Sequence, residues 1–80
     1  MSTNEEANKH YRLGSEFLRN GDYESAIEEF ESAVKLDENF PYAYDNIAIC
    51  YRKQDNYKKA IKYYEKSLEI FPEGQVAIMN

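Results

Sequence analysis

Two side chains capable of chemistry stand alone in this 80-residue chain, Cys50 and His10. A single cysteine forms neither an internal disulfide nor a thiolate metal cluster. A reactive thiol needs a neighbouring cation or a helix N-terminus to hold its thiolate. Arg52 follows two residues later, and side chains at that spacing do not share a helix face, so Cys50 reads as a small, partly buried filler. His10 has no second ligand at metal spacing and no nucleophile beside it, so it reads as helix packing. The chain shows no Gly-rich phosphate loop, no acid pair in an apolar setting and no Ser/His/Asp set. No enzyme activity, cofactor or metal is expected.

The charges narrow the class of partner. Fifteen acids against ten bases give a net charge of −5, and phosphate contacts need clustered Lys and Arg, so a nucleic-acid partner is not expected. The sign is uneven along the chain. Residues 1–40 hold ten acids and four bases, whereas residues 41–80 hold five acids and six bases. Glu24 and Glu28 give way to Lys58 and Lys62, and Ser25 and Ser32 to Lys59 and Lys66. The start of the chain has neither the basic flank nor the apolar run of a signal peptide. No apolar segment approaches the ~18 residues a membrane helix requires. A soluble, cytoplasmic protein without a membrane partner is the expectation.

The elements that must position these side chains follow from a period of 34 residues. Leu13, Gly14, Phe17, Gly21, Tyr23, Ala26, Ile27, Phe30, Ala33 and Val34 fall on Ile47, Ala48, Tyr51, Asp55, Tyr57, Ala60, Ile61, Tyr64, Ser67 and Leu68. Size and polarity class are kept at nearly every pair, the mark of an array of supersecondary units. Within each unit the apolar spacing is i, i+3, i+4, i+7, as in His10, Leu13, Gly14, Phe17 and Tyr44, Ile47, Ala48, Tyr51, which is a helical period. Each unit therefore reads as two helices. Ser2 or Thr3 with Glu5 or Glu6 offers capping boxes for the first, and Asn20-Gly21 ends it. Asp22 caps the second, Asn39 with Pro41 opens the third, Gln54-Asp55-Asn56 makes the next turn, and Phe71-Pro72-Glu73-Gly74 closes the fourth.

The run Leu13-Gly14, Phe17, Gly21, Tyr23, Ala26, Phe30, Ala33, answered by Ile47-Ala48, Tyr51, Tyr57, Ala60, Tyr64 and Pro72, resembles the tetratricopeptide repeat. The resemblance covers one unit at 7–40, a second at 41–74, and a partial third or cap at 75–80. It implies an all-α, right-handed superhelix of stacked helical hairpins, with about four helices and a short fifth. Gly14 with Ala26, and Ala48 with Ala60, would sit at helix crossings, where small side chains let the axes approach closely. Phe17 with Phe30, and Tyr51 with Tyr64, would fill the space beside them. Ala33 and Ser67 would face the next unit, and the second helices would set an acidic ridge beside a basic one.

The resemblance also implies a function, that of a protein-interaction module whose first helices line a concave groove for a peptide or helix of a partner. The inward positions would be Asn8, Tyr11, Arg12, Ser15, Leu18 and Arg19, then Tyr42, Asp45, Asn46, Ile49, Arg52 and Lys53, then Val76, Met79 and Asn80. The peptide-binding residues expected from this set are Tyr11, Arg12, Ser15, Arg19, Tyr42, Asp45, Asn46, Ile49, Arg52 and Lys53. Four bases against one acid on this surface suit an acidic partner segment. The two-carboxylate clamp of the chaperone-binding branch needs Lys and Asn where Tyr11 and Ser15 stand, and Lys and Arg where Val76 and Asn80 stand. Only Asn46 agrees with it, so a chaperone tail is not the expected ligand. The alternative is structural: homo-oligomerisation through an open C-terminal edge carrying Ile61, Tyr64, Leu68 and Ile70.

Overall fold

The computed structural model describes residues 2–72, which form four helices, α1 (Glu5–Arg19), α2 (Tyr23–Leu36), α3 (Pro41–Lys53) and α4 (Tyr57–Ile70), with no strand among the described residues. The expected short fifth helix, with Val76, Met79 and Asn80, lies outside them. Short turns make consecutive helices antiparallel neighbours. α1 packs on α2, α3 on α4, and α2 on α3, with a lighter contact between α1 and α3. The first helices of the two hairpins thus form one layer and the second helices the other.

The turns come from residues suited to them. Gly21 takes φ 80° between α1 and α2, and its counterpart Asp55 takes φ 62° between α3 and α4. Asp22 caps α2 by accepting from Ser25 N, and Asn56 caps α4 by accepting from Lys59 N. Two expected caps are displaced. α1 is capped by Asn4, whose Oδ1 accepts from Ala7 N, and not by Ser2 or Thr3. Ser2 is occupied elsewhere: its hydroxyl donates to the Asp37 carboxylate and its backbone N–H to Asn8 Oδ1. This strap, with Asn4 Nδ2 donating to Leu36 O, ties the start of the chain to the end of α2. α3 begins at Phe40, which has no side-chain cap, while Asn39 stays exposed. Phe40 is 1% exposed, so core burial outweighs capping there, and Pro41 gives up no bond because a first-turn N–H has no intrahelical acceptor.

The core lies where the two hairpins meet. Ala7, Ala26, Phe30, Ala33, Phe40, Ala43, Ile47 and Cys50 form one buried cluster. α3 is the most enclosed helix. Ala43, Ile47 and Cys50 belong to that cluster, while Tyr44 and Tyr51 both stack on Tyr63 of α4. Leu13 is the counterpart of Ile47, yet it is 37% exposed and Ile47 is 0%, because α2 covers α3 on the side where no described element covers α1.

Three packing expectations change in detail. Gly14 abuts Phe30, whose ring carbons lie 2.8–2.9 Å from where a Cβ would stand. The rings of Tyr11 and Tyr63 lie beside Phe30 and Tyr51, while Phe17 packs against the cluster that holds Phe30. Ser67 turns back within its own hairpin, its hydroxyl donating to Pro41 O at 3.3 Å.

Candidate functional site

Helical phase places the candidate residues on α1 and α3. The link between the two helices is a hydrogen bond at equivalent depth in each, where Asn46 Nδ2 donates to Tyr11 Oη at 2.9 Å. Tyr11 also stacks on Phe40, with ring centroids 5.1 Å apart. Its ring therefore fastens one hairpin to the other, and its hydroxyl is already engaged. Ser15 donates to Tyr11 O at 3.0 Å, Asn8 exchanges bonds with Ser2, and Leu18 packs on the core. Asp45 and Ile49 are half-buried. Arg12, Arg19, Tyr42, Arg52 and Lys53 are exposed. The expected set thus divides into a floor that serves packing and a fringe that meets solvent.

None of the four cations has a carboxylate within ion-pair distance among the described residues. The single contact there between a carboxylate and a Lys, Arg or His side chain is the hydrogen bond of His10 Nδ1 with Glu29 Oε1 at 2.7 Å. In the second hairpin the same two positions hold Tyr44 and Tyr63, whose rings stack with centroids 6.4 Å apart. His10 is therefore a polar substitute for an aromatic contact. Arg19, Arg52 and Lys53 stand in the last turns of their helices, where the helix dipole favours a cation by ~0.3–1 kcal/mol. Arg12 stands in mid-helix and gains nothing from a terminus.

Burial raises one thiol and three phenols. The Cys50 thiol is enclosed and pushed up to about 11, which leaves it protonated and unreactive at neutral pH. Burial raises Tyr63, with Glu31 next to it adding to the effect. Burial also raises Tyr44 and Tyr51, which are further raised by Glu38 and by Glu31 respectively. No group of three or more His, Cys, Asp or Glu side chains is placed to hold a metal ion among the described residues. No helix among them is long and apolar enough to cross a membrane.

Two features carry no signal in the sequence pattern. The first is Tyr63, which follows the 34-residue period from Glu29 and so has no aromatic counterpart. It lies between Tyr44 and Tyr51, with Lys66 and Lys59 over those two rings at 5.7 and 5.3 Å. The second is a depression of about 470 Å³ walled by Val34, Tyr44 and Ile70 and rimmed by Lys35, Lys66, Glu38 and Glu69. Its walls come from three helices, so no local spacing announces it.

The chain is similar to proteins built on this plan. A model of the tetratricopeptide repeat matches residues 5–73. The photosystem I assembly protein Ycf3 of a Synechococcus species is 36% identical over 78 residues, covering 94% of this chain and 45% of that protein. The mitochondrial import receptor subunit TOM70 of Saccharomyces cerevisiae is 35% identical over 67 residues, covering 84% of this chain and 11% of that one. A crystal structure of MamA superposes with a TM-score of 0.81 at 29% identity, over 86% of this chain and 40% of that one. The chain spans less than half the length of the curated relatives it matches. With two hairpins in one register and the family pattern running through both, the chain belongs to the tetratricopeptide repeat family.

Proposed function

We propose that the chain is a protein-interaction module, with repeat units at 7–40 and 41–74, whose α1/α3 surface takes an acidic segment of a protein partner. One observation carries the reading: Arg12, Arg19, Arg52 and Lys53 are exposed and unpaired among the described residues, on a chain whose net charge is −5. Exposed Tyr42 adds a flat surface for stacking, and guanidinium groups bind carboxylates through two parallel hydrogen bonds. Helix-dipole preference accounts for three of the cations and not for Arg12. Relatives named as an assembly protein and as an import receptor subunit fit a module that handles other proteins. The floor residues Tyr11 and Asn46 tie the two helices together, and Tyr11 and Ser15 stand where the chaperone clamp needs Lys and Asn.

An array of acidic, neutral and basic peptides tests this. The acidic set should bind, and binding should weaken as salt shortens the Debye length below ~10 Å. The double variant Arg12→Glu, Arg52→Glu should keep its helical circular dichroism and lose that binding. Salt-independent binding that survives in the variant would remove the α1/α3 surface from the reading.

A second reading rests on the exposed apolar side chains of α4 and its end. Ile61 is 58% exposed, Tyr57 57% and Phe71 51%, which suits self-assembly through that edge. An Ile61→Glu variant should then abolish association seen in the parent chain, and unchanged association would reject the edge.

A further inference from the structure

The outer stripes of α2 and α4 carry inverted charges. On α2, Glu24, Glu28 and Lys35 stand at i, i+4 and i+11, which at about 100° per residue keeps them within an arc of about 40°. Ala26, Phe30 and Ala33 are buried on the opposite side. On α4 the same three repeat positions are Lys58, Lys62 and Glu69. All six side chains are exposed, and the sign changes at every one of the three positions. Pairing within the molecule does not account for this. No Cα of α2 lies within 8 Å of one of α4, and none of the six takes part in an ion pair among the described residues. Glu31 and Glu65 share a sign at the one remaining position of the stripe, but Glu31 leans inward, where Tyr63 Oη donates to it at 3.4 Å.

We infer that this α2/α4 face pairs with the same face of a second copy of the chain. α2 and α4 run in the same direction, because each follows its hairpin partner through a tight turn. A two-fold axis parallel to the helices and midway between them would lay α2 of one copy over α4 of the other at equal height. Equivalent repeat positions would then meet: Glu24 with Lys58, Glu28 with Lys62, and Lys35 with Glu69, each pair formed twice. Such an isologous contact closes on itself. It lies on the layer away from Arg12 and Arg52, so it is independent of the groove reading, and it shares α4 with the edge that carries Ile61.

Sedimentation of the full chain at low salt and millimolar concentration tests the proposal. The mass should approach twice that of one chain and fall to that of one chain at 1 M salt, where the Debye length is ~3 Å. Glu24→Lys with Glu28→Lys makes both ridges basic, and Lys58→Glu with Lys62→Glu makes both acidic. Each variant alone should sediment as a monomer with unchanged circular dichroism. Mixed in equal amounts they should form a heterodimer, and all four changes in one chain should restore the homodimer. A monomeric parent at low salt, a single-ridge variant that still dimerises, or a mixture that stays monomeric would overturn it. So would a parent dimer broken by Ile61→Glu and indifferent to both ridge variants, which would place the contact at the α4 edge.

Discussion

Gly14 is held to a hydrogen side chain by one neighbour, the Phe30 ring, whose carbons lie 2.8–2.9 Å from where a Cβ would stand. Phe30 is fully buried and touched from another side by Tyr11, with ring centroids 5.6 Å apart, so it has little room to yield. Gly14→Ala should therefore overpack the α1/α2 crossing and cost ~1–3 kcal/mol. That is a large part of the roughly 5–15 kcal/mol typical of a domain. Gly21 poses the other glycine requirement. Its φ is 80° and the space a Cβ would take is open, with nothing within 4 Å, so Gly21→Ala meets backbone strain of ~1–2 kcal/mol without a clash. Thermal melts should rank Gly14→Ala as the more damaging change, and the reverse order would mean that Phe30 moves aside. The candidate site is legible at this scale only in part. Helical phase places Arg12, Arg19, Arg52 and Lys53 on the solvent side, because exposure of long cations follows from position on a helix. It does not show that Tyr11 and Asn46 bond to each other or that Ser15 turns to Tyr11 O, since those choices depend on a partner 35 residues away or on a local rotamer.

The two hairpins differ in how their helices start, and that difference decides which polar residues matter. Asp22 and Asn56 each accept a backbone N–H from the first turn of the helix that follows. Asp22→Ala should cost ~1 kcal/mol, which lowers the melting temperature of a small domain by roughly 4–8 °C. Asn39→Ala should fall within about 0.5 kcal/mol of the parent, because Asn39 is exposed and contributes only its backbone N–H, which donates to Asp37 Oδ1. Equal losses for the two variants would restore Asn39 as the cap of α3. Four helices, their order and their turns could be read from the 34-residue period and from Gly21, Asp22, Pro41 and Asn56. The caps at Ser2 or Thr3 and at Asn39 could not. Ser2 has a distant acceptor in Asp37, and the α3 start is fixed by a buried ring at Phe40, and both are tertiary effects that override a local preference.

Across the whole molecule, stability should follow how many neighbours each helix has. Repeat arrays gain stability from nearest-neighbour interfaces, and local opening is easiest where few apolar groups are buried. α3 touches both α2 and α4 and buries Ala43, Tyr44, Ile47, Ala48 and Cys50. α4 packs its backbone on α3 alone, reaches α2 only through side chains such as Tyr63 on Glu31, and buries only Ala60 and Ser67, with Ile61 and Tyr57 open to solvent. α2 stands with α3, since it lies between two helices and buries Phe30 and two alanines. Hydrogen exchange under native conditions should therefore protect the amides of α2 and α3 most, and α4 should exchange first through an opening that leaves the α1/α2/α3 core closed. The Tyr44–Tyr63–Tyr51 stack is what α4 gives up in that opening. A Tyr63→Ala change should consequently speed exchange in α4 while leaving the slowest amides of α2 nearly unchanged. If α4 and α3 exchange at one common rate in the parent chain, the two hairpins open as a single unit, and the nearest-neighbour account of this fold fails.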